Sequence, residues 1–586
     1  MPAGLAALLA LPVLLGLAGA ALPAFGYLPA LGGKAFSLQP FRDLLAVPGL
    51  GTSVALSFAS GILTTLLAVA AALLFVAGFA GTKASRWARQ AMGPIMAVPH
   101  AAAVLGLALL VAPSGMLVRL VAEPLGLGAP PDFLIPGDRL GLTMMAGLVV
   151  KELPFLLLVI FAALPQADPE RRLKLASALG YGRIAGFTLA VWPSVYRQVR
   201  LPVLAVAAFA SSVVDVALIL GPSTPAPLAV RLVAWIGDPD LSLRFMASAG
   251  ALLQCGVTLA VLGLWLWLER LGAWACRHAA ARGLRIRSDS ALRAVALLPV
   301  LLAATLMALG MAMLALWSAS GAWSFPALLP SALSLRAWAV AMANAGSPLA
   351  ITAAVATAAA GVALLLIVGL LEVRRRSREA PRIRRRPPHF SATPVRGPVA
   401  PRPRDAGGEH GAPLPPLLAG LLYLPLIVPQ VAFVFGLQLL VLVAGLGPSL
   451  PLLVGVHLIF VMPYVALALA APWFALDPRY ERMAASLGRS QGATFLRIRL
   501  PMLLAPLATA FAIGFAVSVG QYLPTLLIGA GRLPTITTEA VAIASGGNRR
   551  LIGVYALLQT ALPCLVLGTA TLLPALLHRH RRGMRG

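Results

Sequence analysis

Apolar residues in this chain come in long blocks, without the alternation of a half-buried strand or the three-to-four spacing of a surface helix. Twelve blocks can be marked, at about 4–26, 53–79, 92–114, 141–164, 201–221, 246–268, 292–317, 349–371, 416–445, 451–474, 502–528 and 552–577. A helix needs about 20 mostly apolar residues to cross the ~30 Å hydrocarbon core of a bilayer. A backbone in lipid must satisfy its own hydrogen bonds, which a helix does within one segment. The pattern therefore predicts an all-α polytopic membrane protein with about twelve transmembrane helices. Composition agrees: the 586 residues are 60% hydrophobic and only 11% charged, with mean hydropathy +0.90, where soluble domains carry ~25% charge.

The first block resembles a secretory signal in its Ala-Gly-Ala-Ala-Leu-Pro-Ala stretch. It has no Lys or Arg ahead of the apolar run and is long for a signal, so it is read as a span. The net charge of +27 would suit nucleic acid on a soluble module, but no basic stretch stands on such a module. With the N-terminus inside and the spans alternating, 35 of the 46 Lys and Arg residues fall in cytoplasmic segments. That bias orients a membrane protein with its basic loops inside. It predicts both termini in the cytoplasm. Cys255, Cys276 and Cys564 have no metal-ligand or redox spacing.

The chain repeats itself. Pro99-His-Ala-Ala-Ala-Val-Leu-Gly106-Leu-Ala-Leu-Leu110 aligns without gaps on Pro429-Gln-Val-Ala-Phe-Val-Phe-Gly436-Leu-Gln-Leu-Leu440, with seven of twelve positions identical. Pro154-Phe155 answers to Pro463-Tyr464, and Asp168-Pro169 to Asp477-Pro478. Six spans per unit is an even number, so the two halves, 1–290 and 291–586, run in parallel and enclose a path between them. A Pro-, Arg- and Gly-rich segment at 373–415 links the membrane stretches of the second half. Its composition is that of a disordered tether.

Two loops between the fourth and fifth span of each half, 166–200 and 475–501, are long for cytoplasmic connections. Each reads as an amphipathic helix, a Gly, and a short helix ending at a Pro. The second runs Glu481-Arg-Met-Ala484-Ala485-Ser-Leu-Gly488, nine residues, then Ile498-Arg-Leu500-Pro501; the first runs Lys174-Leu-Ala176-Ser-Ala-Leu-Gly180, nine residues, then Ala190-Val-Trp-Pro193. Gly admits backbone angles that other residues avoid, and Pro suits the first turn of the span that follows. Small residues before the Gly allow close approach of a partner.

This constellation resembles the EAA loop of ABC importer permeases: Glu-Ala-Ala, three residues, Gly, nine residues, Ile-x-Leu-Pro. The second copy matches at Ala484, Gly488, Ile498, Leu500 and Pro501, with Ala485 beside them, and the first at Ala176, Gly180 and Pro193. The Glu position holds Arg482 in one copy and Lys174 in the other, and Trp192 stands where Leu is usual. Fused two-half chains of this kind resemble the ferric-iron and thiamine types, and 221–231 and 533–540 are similar to thiamine-transport permeases. The resemblance implies two copies of a separate cytoplasmic ATPase docked on the loops, a periplasmic solute-binding protein, and alternating access. No Gly-x4-Gly-Lys-Ser/Thr string occurs, so no ATP or other cofactor is expected on this chain, and no enzymatic activity.

Ionisable residues within spans are costly and mark candidate function. Lys151 and Glu152 lie in the fourth block and Asp215 in the fifth. Lys151 and Asp215 are expected to pair, and Glu152 with Asp215 would favour a cationic solute such as thiamine or a metal ion on the path. Gln521 stands near the place of Asp215 in the second half, and His100 and Gln430 follow the matched prolines. No resident metal is expected. An ion-driven secondary transporter of six-plus-six topology fits the spans equally well but gives no reason for the duplicated loops. A membrane-embedded enzyme lacks any His/Asp/Glu cluster of catalytic spacing.

Overall fold

The computed structural model describes residues 2–384 and 416–577. Its described residues are helical, with two isolated β-bridges, Leu28–Gly33 and Ser320–Leu333, so the predicted all-α class holds. In the first half, α1 (Pro2–Ala24) and α2 (Leu50–Phe79) are followed by α3 (Lys83–Ala97) and α4 (His100–Val111), then α5 (Leu142–Ala163). A short α6 (Pro169–Ala178) precedes α7 (Trp192–Ser212), and α8 (Asp215–Leu220) and α9 (Leu228–Gly237) lead to α10 (Leu243–Ala281). The second half repeats the order. It comprises α11 (Ser290–Ser318), α12 (Arg336–Arg384), α13 (Pro416–Ile427), α14 (Gln430–Val443), α15 (Leu450–Ala475), α16 (Arg479–Ser486), α17 (Leu504–Val519), α18 (Leu523–Gly529), α19 (Ile536–Ser545) and α20 (Arg549–Leu577).

Eight of the described helices are long and apolar enough to cross a membrane, and ten if two bent helix pairs are each one span. The remaining two apolar blocks lie on α1 and on α7–α8; α7 carries Arg197 and Arg200, which lower its hydropathy. The third block is not one straight helix: Pro99 separates α3 from α4. Its counterpart Pro429 separates α13 from α14, which meet at 91°. Proline lacks the N–H a continuing helix needs, so both matched prolines mark breaks. The linker expected from 373 begins later, because α12 continues to Arg384; the rest of that reading, 385–415, lies outside the described residues.

Contacts between helices repeat across the halves. α2 packs on α5 and α7, as α12 packs on α15 and α17; α10 packs on α7 and α9, as α20 packs on α17 and α19. The first helix of each half is the exception, because the two are exchanged. α1 lies on α14 of the second half, and α11 lies on α4 of the first. The matched glycines of the repeat sit at these crossings. A Cβ on Gly106 would lie 2.6 Å from the Gly310 carbonyl oxygen on α11, and one on Gly19 would lie 2.5 Å from that of Gly436 on α14. With no side chains between them the backbones approach closely, which is how helices associate in lipid without a hydrophobic drive. The first block is thus packed into the bundle.

Loops gather at two ends. At one, Gly182 N–H donates to the Ile286 carbonyl at 2.8 Å and Arg183 donates to the Ala80 carbonyl. At the other, Gly137 N–H reaches the Leu220 carbonyl at 3.1 Å and Arg231 reaches that of Pro48 at 3.1 Å. The halves also cap α9 and α19 alike: Ser57 Oγ accepts Leu228 N–H at 3.0 Å, and Thr352 Oγ1 accepts Ile536 N–H at 2.9 Å. These hydroxyls satisfy helix-start amides that have no partner within the helix.

Arg119 is buried at the end opposite the long loops and joins the halves there. Its Nε donates to the Ser114 carbonyl at 2.9 Å, and its Nη1 to those of Ser324, at 2.9 Å, and Ala327. The guanidinium stands 4.8 Å from the Trp323 ring and 5.6 Å from that of Phe325. Arg549 adds a bond to Ser114 Oγ at 2.5 Å and lies 5.2 Å from the Trp317 ring.

Candidate functional site

The two long loops are built alike. α6 and α16 each end at a glycine in the left-handed region, Gly180 at φ +84° and Gly488 at φ +73°. A side chain there is strained, by roughly 1–2 kcal/mol. The chain then re-enters a helix that makes one π-helical turn, Phe187–Val191 in the first loop and Phe495–Arg499 in the second. Both turns start at the same distance from the loop glycine. Such turns are rare and gather at functional sites. In the first loop the helix does not stop at the proline, as the short-helix reading expects: it passes through the π turn and continues as α7 beyond Pro193. In the second the helix passes the π turn and Pro501 but ends at Met502, and the chain bends by 71° into α17.

The small residues do not all face outward. Ala176 and Ala484 are buried, and Ala176 packs where a Cβ on Gly186 would come within 2.9 Å of it. Ala485 is exposed. The outward knobs are instead Leu175 and Leu179 on the first loop, and Tyr480, Met483 and Leu487 on the second, all exposed. The alanine is needed because the short helix folds back on its own loop. The apolar surface offered to a partner comes from the residues flanking it. Ile498 and Leu500 are half-buried in and after the second π turn.

Different chemistry anchors each loop. In the first, Arg172 Nη1 donates to the Ala190 carbonyl in the π turn at 2.9 Å and to Ser194 Oγ at 2.6 Å. Asp289 accepts the Ile184 N–H at 2.5 Å. In the second, Arg499 of the π turn bonds both Glu481 on α16 and Glu372 on α12. Arg375 Nη2 meets Glu481 Oε1 at 2.8 Å, and Arg376 Nε meets Glu372 Oε1 at 2.8 Å. Glu481, out of register with the Glu of the EAA pattern, is thus turned inward.

Within the membrane the expected Lys151–Asp215 pair does not form. Lys151 Nζ donates to the Ile95 carbonyl at 3.1 Å and to that of Val98. These carbonyls stand at the end of α3, where the proline break leaves acceptor capacity, the Ile95 oxygen taking in addition the Val98 N–H at 3.3 Å, and the helix dipole is negative. Glu152 instead meets His100, Oε1 to Nε2 at 3.1 Å, and the His100 ring lies 5.2 Å from that of Phe209. Asp215 is buried at the first residue of α8, within electrostatic reach of His100. So the structure groups His100, Glu152 and Asp215 and leaves Lys151 apart. From the second half, Tyr464 lies within electrostatic reach of Glu152 and Tyr522 within that of Asp215. Gln430 opens α14 as His100 opens α4, and Gln521 precedes α18 by two residues where Asp215 begins α8; both are half-buried.

Sequence reasoning missed His457, fully enclosed in α15, with Nδ1 2.8 Å from Ser518 Oγ and Nε2 3.0 Å from Thr525 Oγ1. It was legible as a histidine within an apolar block. It also missed Tyr464 and Tyr522, although Tyr464 sits in the matched Pro463 pair. Among the described residues no group of three or more His, Cys, Asp or Glu could hold a metal.

The chain is 29% identical over 559 residues to the inner membrane ABC transporter permease protein YnjC of Escherichia coli strain K12. The match covers 94% of this chain and 93% of that protein. It spans both halves, long loops included. No protein-family model matches the chain, and no solved structure matches it.

Proposed function

We propose that this chain is the complete transmembrane part of an ATP-driven ABC importer, a transport component with no catalytic activity of its own. The observation that carries the reading is the duplicated loop: a short helix with exposed apolar knobs, a left-handed glycine, and a π turn at equal spacing in both halves. The likeness to an inner-membrane ABC permease along almost the whole chain supports it. Each loop receives one copy of a separate ATPase subunit at the cytoplasmic end, with both termini on that side. An external binding protein delivers solute to the opposite end. ATP binding draws the ATPases together and moves α6 and α16, so that the path between the halves opens alternately.

Affinity purification of the tagged protein from membranes in mild detergent, wild type beside Gly488→Asp, tests this. Wild type brings down an ATPase subunit and Gly488→Asp loses most of it. The substitution puts a side chain on a left-handed backbone position and places an anion on the docking face. A wild type that purifies alone defeats the reading in favour of an ion-driven transporter.

The path favours a small cation, of which thiamine is the example suggested by residues 221–231 and 533–540. Glu152 meets His100 at 3.1 Å, Asp215 lies within electrostatic reach of the same ring, and Tyr464 and Tyr522 of the second half lie within reach of the two carboxylates. Glu152→Gln and Asp215→Asn each keep the fold and remove one charge. Uptake of labelled thiamine by vesicles is expected to fall about tenfold in each, the equivalent of ~1.4 kcal/mol of lost attraction. Normal uptake in both removes these residues from the path.

A further inference from the structure

We infer that Arg499 is a positioning residue that, through Glu481 and Glu372, ties α16 to α12 and makes the second loop the one that carries ATPase movement into the bundle. The inference rests on the importer reading above.

The residues of the tie come from three places in the chain. Glu372 and Arg375 lie on the loop-end turns of α12, Glu481 on the short helix α16, and Arg499 in the π turn. Arg499 is buried and bonds both carboxylates; Arg375, also buried, bonds Glu481 at 2.8 Å and the Trp473 carbonyl at 3.3 Å. The Arg499 guanidinium stands 5.8 Å from the Trp473 ring. A guanidinium fork is planar and holds its donors in fixed directions. α16 therefore cannot shift along the bundle without carrying α12 with it. α12 in turn packs along α15, α17 and α20, most of the second half.

The first loop has no such tie. Counting from the matched loop glycines, Leu173 stands where Glu481 does and Val191 where Arg499 does. Counting from the matched capping hydroxyls Ser57 and Thr352, Ala77 and Ala80 stand where Glu372 and Arg375 do. All four charged positions are apolar. Arg172 closes the first loop on its own π turn, and Arg183 donates to the Ala80 carbonyl and lies within electrostatic reach of Asp289, with no carboxylate of α2 or α6 bonded to it among the described residues. That loop is instead braced by the segment joining the halves. A Cβ on Gly182 would lie 2.8 Å from both Asp289 Oδ2 and the Ile286 oxygen. Equivalent halves would duplicate the ionic tie as they duplicate the glycine, the π turn and the capping hydroxyls.

The test uses the complex purified with its ATPase in lipid nanodiscs, with Cys255, Cys276 and Cys564 replaced by Ser and spin labels at Leu45 and Leu333, exposed at the opposite end. The spin–spin distance is read with and without ATP and Mg²⁺. Wild type changes distance on ATP. Glu481→Gln and Arg499→Gln keep the ATPase subunit bound and hydrolysing, while the population that changes distance falls by about tenfold or more, because one partner of a buried charge pair is lost. Arg499→Lys recovers part of it, since it keeps the charge and loses the fork. Arg172→Gln in the first loop has the smaller effect. An unchanged distance response in Glu481→Gln and Arg499→Gln overturns the inference. So does loss of the ATPase subunit in both, which makes them docking residues, or an equal effect of Arg172→Gln. A wild type with no ATPase bound overturns the importer reading itself.

Discussion

Gly436→Leu is expected to separate α1 from α14 and to destabilise the whole bundle. A Cβ at Gly436 would run into the Gly16 carbonyl oxygen and come within 2.6 Å of Ala20 N. Both obstacles are backbone, so no rotamer change relieves them. The helices must part by the width of a side chain, and in lipid there is no hydrophobic drive to hold them at the new distance. Overpacking within a core costs about 1–3 kcal/mol where neighbours can give; with backbone on both sides the upper end or more is expected, roughly 3–5 kcal/mol. Gly455→Leu on α15 is the comparison, since nothing lies within 4 Å of its Cβ position, and it should stay within about 0.5 kcal/mol of wild type. Thermal unfolding of the detergent-purified protein distinguishes the two. A Gly436→Leu protein that melts with wild type would mean that the crossing contributes nothing to assembly.

Arg119→Met should release the segment 319–335 from the first half. The wild-type guanidinium bonds three carbonyls and two aromatic faces. Hydrogen bonds to a charged group contribute about 1.5–3 kcal/mol each before water replaces them. Methionine keeps much of the stem's packing and none of the donors. Once the segment opens, water satisfies the carbonyls, so the net loss is smaller than the sum, on the order of 3 kcal/mol. That raises the open population by roughly a hundredfold. Hydrogen exchange of the Trp317–Ser334 amides in nanodiscs reads it directly. Exchange should quicken there and stay unchanged at Leu228 and Ile536, whose amides are capped by Ser57 and Thr352. No change at 317–334 would assign the clamp to Arg549 and the aromatic stack alone.

The membrane character, the spans and the parallel repeat were legible because each rests on a signal that recurs: apolar length, or Pro and Gly at one spacing. The loop glycines were legible for the same reason, and both adopt the left-handed backbone that only the glycine tolerates easily. The helix exchange was not. Gly106 and Gly436 stood out as matched positions of the repeat, but nothing local says that they mark crossings or that their partners, Gly310 and Gly16, come from the other half. The misjudged pair at Lys151 has a similar origin. Opposite charges on neighbouring spans suggested an ion pair, whereas Lys151 meets the helix-end carbonyls of Ile95 and Val98, left with acceptor capacity by the Pro99 break. The tie at Arg499 joins Glu481, 18 positions away, to Glu372, 127 positions away on α12, and spacing alone has no means of finding it.

The exchange of first helices also bears on how the protein is made. α1 leaves the ribosome more than four hundred residues before α14, the helix it is shaped to meet. At about 5–20 residues per second, it waits for roughly twenty to eighty seconds in the bilayer with its glycine face turned to lipid. The first half therefore cannot close when its own synthesis ends. Insertion of the second half completes both at once, and a chain stalled between them would display an unfilled groove on α4 and, on an α1 held only by α10, an uncovered glycine face to the cell's quality-control proteases.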